Sequence, residues 1–480
     1  MDRIEKKEIL WSAALVAGWT LLMLLQSPNV APHGFTYTDS SVFEYVGMVM
    51  QQGGMPYVDA FDHKGPLIYV INWLALELGG WRGTLVFEAA ALAMALWFLL
   101  RIARLRAGWW SSVFLVTFFA LRGADKMLEG GNLTEEYALP WIALAVYLFL
   151  RFLQQGVFRT RDSVLLGFGL AMVLLLRPNM IAAWAVGYPV LLFLLWKQDN
   201  AGRMLLASLG GLLIGLAPFV LWLAAGGALQ ACWETYIVFN VTYAARMAGD
   251  HAARQRLRAF CRFFLLCKMG YVLLPCGFAL LRERALRDRA AGFSLALLLV
   301  SLLSVSMSGM TYSHYGMVLL PTLIYPAALF FSYAEQHVRG RVQRYAVGLM
   351  VVVAFFMLRT SYQNIHSNWR VDDPELQRLV DAVQENTTPE DTISVWGNQD
   401  AIYVRSQRRS ASIYSYQRPI ATVVDPQIGQ RYFEELEAAP PKLVILCDEG
   451  NERMQSFLET HGYVRIPDAS EKTPVYRRTT

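Results

Sequence analysis

The sequence predicts a polytopic α-helical membrane protein of about eleven spans, followed by a small α/β domain at its C-terminal end. Three observations predict it. Of the 480 residues, 55% are hydrophobic and only 17% charged, with a mean hydropathy of +0.33, whereas soluble domains are closer to a quarter charged. Apolar runs of roughly 15 to 20 residues, long enough to cross a bilayer core, recur from residue 9 to residue 358. Beyond residue 360 the chain turns polar, and strand and helix patterns alternate.

The N-terminal MDRIEKKEIL is basic and runs into an apolar segment ending near Leu25. It reads as a retained signal anchor, with a cleavable signal peptide ending near VAPHG as the alternative. The expected spans are 9–25, 84–101, 109–122, 138–153, 164–176, 181–196, 204–224, 263–281, 291–308, 316–333 and 344–358. With the N-terminus inside, five basic clusters fall on the cytoplasmic side: Arg101/Arg104/Arg106, Arg151/Arg159/Arg161, Lys197/Arg203, Arg282/Arg284/Arg287/Arg289 and Arg339/Arg341/Arg344. The net charge of +5 is therefore a topology signal, and no nucleic-acid partner is expected. Residues 66–79, PLIYVINWLALELG, are short and run into Gly79, Gly80 and Gly83, so they read as an interfacial or re-entrant segment. That segment closes a large first outer loop, 26–83, in a membrane module of residues 1–359.

An odd number of spans puts the second domain, residues 360–480, outside the cytoplasm. Asp373-Pro374 opens a helix reaching about residue 385. DTISVWG and PKLVILCD read as buried strands, and residues 427–438 and Asn451 to about His461 as helices. No Gly-rich phosphate loop occurs in this domain, so it is assigned no nucleotide site. Cys232, Cys261, Cys267, Cys276 and Cys447 lack CxxC or metal-type spacing and read as buried small hydrophobes. No internal repeat is visible, which argues against many secondary transporters.

The stretch TYTDSSVFEYVGMVMQQGGMPYVDAFDHKGPL, residues 36–67, is the strongest functional signal. A plain connection needs few residues, yet this one carries Asp39, Glu44, Asp59 and Asp62 beside His63 and Lys64. Asp39 is either a general base for an acceptor hydroxyl or a helix cap after Thr38. Lys64 either stabilises charge on a phosphate leaving group or pairs locally with Asp62, and His63 either joins that site or is a surface residue. The second outer loop offers Glu129, Asn132, Glu135 and Glu136 for a sugar hydroxyl or a metal, with a capped helix start as the bland reading. Arg177 in the tight RPN turn is a phosphate contact or a snorkelling anchor. The fourth loop holds Tyr243, Arg246, Arg254, Arg256, Arg258 and Arg262. Of these, Arg254, Arg258 and Arg262 share a helical face that either grips a phosphate or rests on anionic head groups. His314, in MTYSHYG, is a substrate contact or part of an aromatic belt.

Taken together these features resemble the GT-C superfamily of membrane glycosyltransferases, in the branch of the protein O-mannosyltransferases and the lipid A aminoarabinose transferase. The carrying features are the single span before an outer loop that opens with TDSS, and the closing FDHKGPLIYVINWLAL before a span ending in RIARLR. The span-RPN-span hairpin and the soluble tail add to them. The family's closing Lys-Pro-Pro is Lys64-Gly65-Pro66 here, its frequent Asp-Glu is Asp39-Ser40, and a basic residue three positions after the acid is replaced by Val42. The resemblance implies transfer of a sugar from a polyprenyl-phosphate donor to a hydroxyl of a cell-envelope acceptor on the outer face, with inversion. It implies Asp39 as the catalytic acid of the first loop and Lys64 as the donor-phosphate contact. It further implies a multi-pass protein of the bacterial cytoplasmic membrane whose site faces the periplasm or exterior. With no His cluster, any metal would be an oxygen-ligated Mg²⁺, Mn²⁺ or Ca²⁺. The alternatives are a transporter or flippase, or a non-catalytic partner in lipid-linked glycan assembly. Neither the sugar, the acceptor nor the oligomeric state is readable from the sequence.

Overall fold

The computed structural model describes residues 3–27, 30, 38–123, 127–196, 201–248, 251–370, 373–417, 425–450, 452–467, 469–470 and 472–479. Lys197 and Asn451, named above, lie outside the described residues, as do VAPHG beyond Val30 and the start of the 36–67 stretch. In chain order the helices are α1 (Arg3–Leu25), α2 (Thr38–Gln51), α3 (Pro66–Gly79), α4 (Thr84–Arg104), α5 (Trp109–Phe118), α6 (Thr134–Gln155), α7 (Thr160–Leu174), α8 (Ala182–Trp196), α9 (Ala201–Ala225), α10 (Leu229–Cys232), α11 (Phe239–Ala248), α12 (Ala252–Leu266), α13 (Gly270–Arg282), α14 (Arg289–Ser306), α15 (Leu320–His337) and α16 (Gly340–Asn368). The C-terminal region adds α17 (Pro374–Asn386), α18 (Ala401–Ser406), α19 (Pro426–Ala438) and α20 (Glu452–Thr460). Its strands are β1 (Thr392–Trp396), β2 (Arg409–Ser410), β3 (Leu443–Leu446), β4 (Tyr463–Arg465) and β5 (Val475–Arg478).

Each apolar run read as a span is helical. Among the described residues, seven helices are long and apolar enough to cross a membrane, or eight if α12 and α13, bent by 76°, form one span. Two further apolar helices, Trp109–Leu121 and α8, are shorter. This is an integral, multi-pass membrane protein. The apolar stretch Pro66–Arg104 covers 39 residues, about twice what one crossing needs. It is broken where expected: Gly80 adopts φ 62°, and a Cβ on Gly83 would stand 1.8 Å from the Ala75 carbonyl oxygen. Only a bare backbone permits that approach, and the α-helical run gives way to a 3₁₀ turn at Gly80–Gly83.

The described chain forms two compact units. The first comprises residues 1–30, 85–219 and 250–368. Its centre is α6, buried on nearly all faces, with α7, α8, α14 and α15 around it. Trp19 donates to Thr117 Oγ1 at 2.9 Å and ties α1 to α5.

The second unit comprises residues 31–84, 220–249 and 369–480. Here α2 lies on α3 so closely that a Cβ on Gly47 would meet the Trp73 nitrogen at 2.8 Å. The sheet runs β2-β1-β3-β5-β4. The β1–β2 and β1–β3 pairs are parallel, with Ile393 opposite Leu443, and β5 runs antiparallel to both β3 and β4. Asp373 caps α17 by accepting from the Leu376 amide at 3.0 Å, with Pro374 in the first turn. The tail packs directly on the first-loop residues. Arg409 reaches the end of α2 through Gln52 Oε1 at 2.6 Å, and the Phe61 amide donates to the Ile413 carbonyl at 2.8 Å. Of the cysteines, Cys232, Cys267 and Cys276 are buried and Cys447 half-buried. Cys261 is exposed on α12, which corrects the reading of all five as buried.

Candidate functional site

In the second unit, the turn between α2 and α3 builds a compact charged constellation. Tyr57, in the left-handed region at φ 70°, costs strain that its contacts must offset. Its hydroxyl donates to the Lys64 carbonyl at 2.8 Å. Tyr69, one turn into α3, accepts from the Lys64 amide at 3.1 Å. The backbone of Lys64 is thus held between two phenols.

The side chains continue this order. Asp62, 2% exposed, accepts from Tyr69 at 2.9 Å on one oxygen and from Tyr416 of the tail at 2.8 Å on the other. His63 Nδ1 lies 3.4 Å from Asp62 Oδ1, and its Nε2 lies 3.1 Å from Lys64 Nζ. Because an ammonium can only donate, this geometry places the imidazole proton on Nδ1, facing Asp62. A carboxylate, an imidazole and an ammonium therefore stand in line, with the half-buried Lys64 at the end of the line. Tyr243 stacks on His63, with ring centres 5.6 Å apart. Asn240 donates to the His63 carbonyl at 2.6 Å. Asp39, half-buried in the first turn of α2, belongs to the same electrostatic neighbourhood. Burial first, and then the charges of Asp62, Asp400 and Asp39, hold the Tyr416 phenol protonated far above its ordinary range. Tyr416 is thereby kept as a donor to Asp62.

Asp400, fully buried, stands behind this network and accepts from Ser415 at 2.6 Å. Burial raises its carboxyl from 3.8 to about 7; the Ser415 hydrogen bond opposes the rise and the Asp62 charge adds to it. A carboxyl raised in the folded state stabilises fully below its unfolded value, and that contribution is lost as pH climbs from about 4 to about 7. The loss is on the order of 4 kcal/mol. Asp400→Asn is expected to flatten the pH dependence of melting across that window. An unchanged slope in the variant would assign the pH dependence to other groups.

The first unit holds a second cluster. Glu135, at the start of α6, accepts from Thr134 at 2.8 Å and from Arg177 at 2.5 Å. Arg177 also donates to Tyr315 at 2.6 Å, and its guanidinium lies 4.3 Å over the centre of that ring. His314 sits 2.6 Å from Glu129, stacked on Tyr312. The Glu129–Asn132 turn has four successive positive φ angles: 42°, 96°, 89° and 56°. Gly131 needs its bare Cα, because a Cβ there would stand 2.2 Å from Glu88 Oε2. Asn132 is buried and accepts from Tyr137 at 3.1 Å.

The structure thus gathers Asp62, His63, Lys64 and Tyr243 in one unit, and Glu135, Arg177 and His314 in the other. The remaining sequence candidates stand apart. Asp59 is exposed and caps the Met55 amide at 2.6 Å. Glu44 is buried on α2, where its charge acts on Arg405. Glu136 is buried in the first turn of α6. Arg246 is exposed on α11. Arg254 and Arg258 are exposed one turn apart on α12, while Arg262 donates to the Thr311 carbonyl at 2.9 Å. Tyr69, Asn240, Tyr315 and Tyr416 complete the two clusters without having been singled out. Tyr315 does lie in the MTYSHYG motif, but Tyr416 lies in a segment with no periodicity. Among the described residues, no three His, Cys, Asp or Glu side chains converge as metal ligands. Asp62, Glu129 and Glu135 are each committed to phenol, imidazole or guanidinium partners.

A family model, the competence-induced Ccs4 N-terminal domain, matches residues 13–367, about three quarters of the chain. The chain belongs to the Ccs4 N-terminal domain family. In this Ccs4-family chain the matched region runs from α1 to the last residues of α16, and the sheet lies beyond it. No curated protein matches the sequence. Two solved structures share its architecture almost end to end. ArnT from Cupriavidus metallidurans bound to undecaprenyl phosphate superposes with a TM-score of 0.63 at 13% identity, covering 98% of each chain. The same protein in the apo state gives 0.61 at 13% identity, covering 96% of this chain and 98% of that one. The Ccs4-family chain therefore shares the ArnT fold over nearly its whole length.

Proposed function

We propose that this protein is a glycosyltransferase that moves a sugar from a polyprenyl-phosphate donor to a hydroxyl of a cell-envelope acceptor, on the outer face of the cytoplasmic membrane. The observation that carries the reading is the Asp62–His63–Lys64 line. It fixes an ammonium in place, on a fold shared with a protein solved with undecaprenyl phosphate bound. A lipid-linked donor brings its own leaving group, so transfer needs only a base and cations. Lys64 meets the donor phosphate, with His63 and Asp62 holding it in position. Asp39 takes the proton of the acceptor hydroxyl as that oxygen attacks the anomeric carbon. The bond from that carbon to the phosphate oxygen breaks, and the polyprenyl phosphate leaves with the bonding pair. Attack from the face opposite the leaving group inverts the anomeric carbon. The first unit offers a cation of its own, Arg177, for phosphate charge, and Glu135, His314 and Asn132 for sugar hydroxyls.

The test is binding of undecaprenyl phosphate to the full chain in nanodiscs. Lys64→Gln keeps the stem length and removes the charge. It is expected to weaken binding by about 10- to 100-fold, the range of a charge-assisted contact. A wild-type protein that does not bind undecaprenyl phosphate would overturn the reading, and a variant that binds like wild type would remove Lys64 from it.

A further inference from the structure

We infer that the first unit carries a separate lipid site, for an anionic glycerophospholipid, at the end of α6 away from Glu135. Here the C-terminal end of α6, the second half of α8 and the first half of α14 enclose a groove of about 880 Å³, within the roughly 300–1,000 Å³ of ligand-sized pockets. It is lined by Phe152, Val190, Phe193 and Phe293, together with Gly292 and Arg289. Everything but Arg289 in the lining is apolar or glycine.

Arg289 is exposed, and among the described residues it has no ion pair or hydrogen bond. The adjacent carboxylate is already occupied, since Asp288 pairs with Arg106 and caps the Ala291 amide at 2.7 Å. A guanidinium beside an apolar groove matches a phosphate joined to acyl chains. No carboxylate in the lining would meet a choline or ethanolamine cation, so the head group that fits is a phosphodiester without a cation. Arg282, Arg284 and Arg287 precede Arg289 in the chain, and such basic clusters draw anionic lipid.

Position separates this site from the transfer machinery. Phe152 lies 17 residues beyond Glu135 on the same helix, about 25 Å at helical rise. Ser304, at the far end of α14, reaches the Asn179 carbonyl at 2.8 Å, beside Arg177. A phosphate on Arg289 is therefore a helix length from Glu135 and Arg177, and the lipid is a bound component rather than the donor.

The test uses the full chain in detergent, with native mass spectrometry reading retained phosphatidylglycerol against phosphatidylcholine at equal concentration. Wild type is expected to retain phosphatidylglycerol about tenfold more, the effect of one charge-assisted contact. Arg289→Gln should abolish the preference. Gly292→Leu should lower retention of both lipids, because a Cβ there meets nothing within 4 Å and the side chain enters the groove. Melting of each variant without added lipid controls for folding, and Arg289→Gln stands alone if the leucine variant fails it. No preference in wild type, or a preference kept by Arg289→Gln, would overturn the inference. So would displacement of phosphatidylglycerol by equimolar undecaprenyl phosphate, which would give the groove to the donor.

Discussion

Asp39→Asn is expected to lower sugar transfer by about 10²- to 10⁴-fold, the contribution of a positioned general base, while undecaprenyl-phosphate binding stays as in wild type. The substitution separates the two roles open to this residue. Asp39 sits in the first turn of α2, where an acid stabilises the helix end. Asn caps a helix about as well as Asp, so a capping role would survive the change with activity intact. Asn cannot take a proton from an acceptor hydroxyl, so a base would be lost outright. The setting favours the base: Ser40, Ser41 and Glu44 on the same helix are buried, whereas Asp39 remains half-open. Lipid binding reports on Lys64, while transfer from a labelled lipid-linked sugar reports on Asp39. A variant that transfers at the wild-type rate would return Asp39 to the role of helix cap.

The sequence made the membrane module legible because the bilayer imposes one length and one polarity on every span. The tail was legible where burial was strong. DTISVWG and PKLVILCD are β1 and β3, neighbouring interior strands of the sheet. The other strands were not legible: β2 is two residues long, and β4 and β5 carry arginines that hide any alternation. The six residues of α18, AIYVRS, read locally as a strand former but are held helical by burial of Ile402, Tyr403 and Val404. Within the site, Asp62, His63 and Lys64 were visible because three chemically rich residues adjoin. Tyr416 was not, because its partner Asp62 lies 354 positions away in sequence. Asp59, chosen for its charge, proved to be a turn residue serving the Met55 amide, which is what isolated acids in Gly- and Pro-rich loops commonly do.

Arg177→Ala is expected to cost about 3–5 kcal/mol of stability, the penalty for breaking a buried ion pair by removing one partner. Glu135 is 3% exposed and already accepts from Thr134, so loss of the guanidinium leaves a carboxylate with little water and only the His314 imidazole near enough to offset its charge. Arg177→Lys should recover only part of the loss, since a point ammonium cannot serve Glu135 and Tyr315 through the same planar fork. The informative variant is the double substitution Arg177→Ala/Glu135→Gln, which removes the orphaned charge and should melt close to wild type. Its transfer activity then divides two roles for Arg177. A guanidinium that only clamps α6 to the turn after α7 is dispensable once Glu135 is neutral, and the double variant then transfers like Glu135→Gln alone. A guanidinium that also meets the donor phosphate is not, and the double variant is stable but slower than Glu135→Gln, with weaker undecaprenyl-phosphate binding than that single variant. A single Arg177→Ala protein that melts like wild type would show that water reaches Glu135, and would remove the premise of both arms.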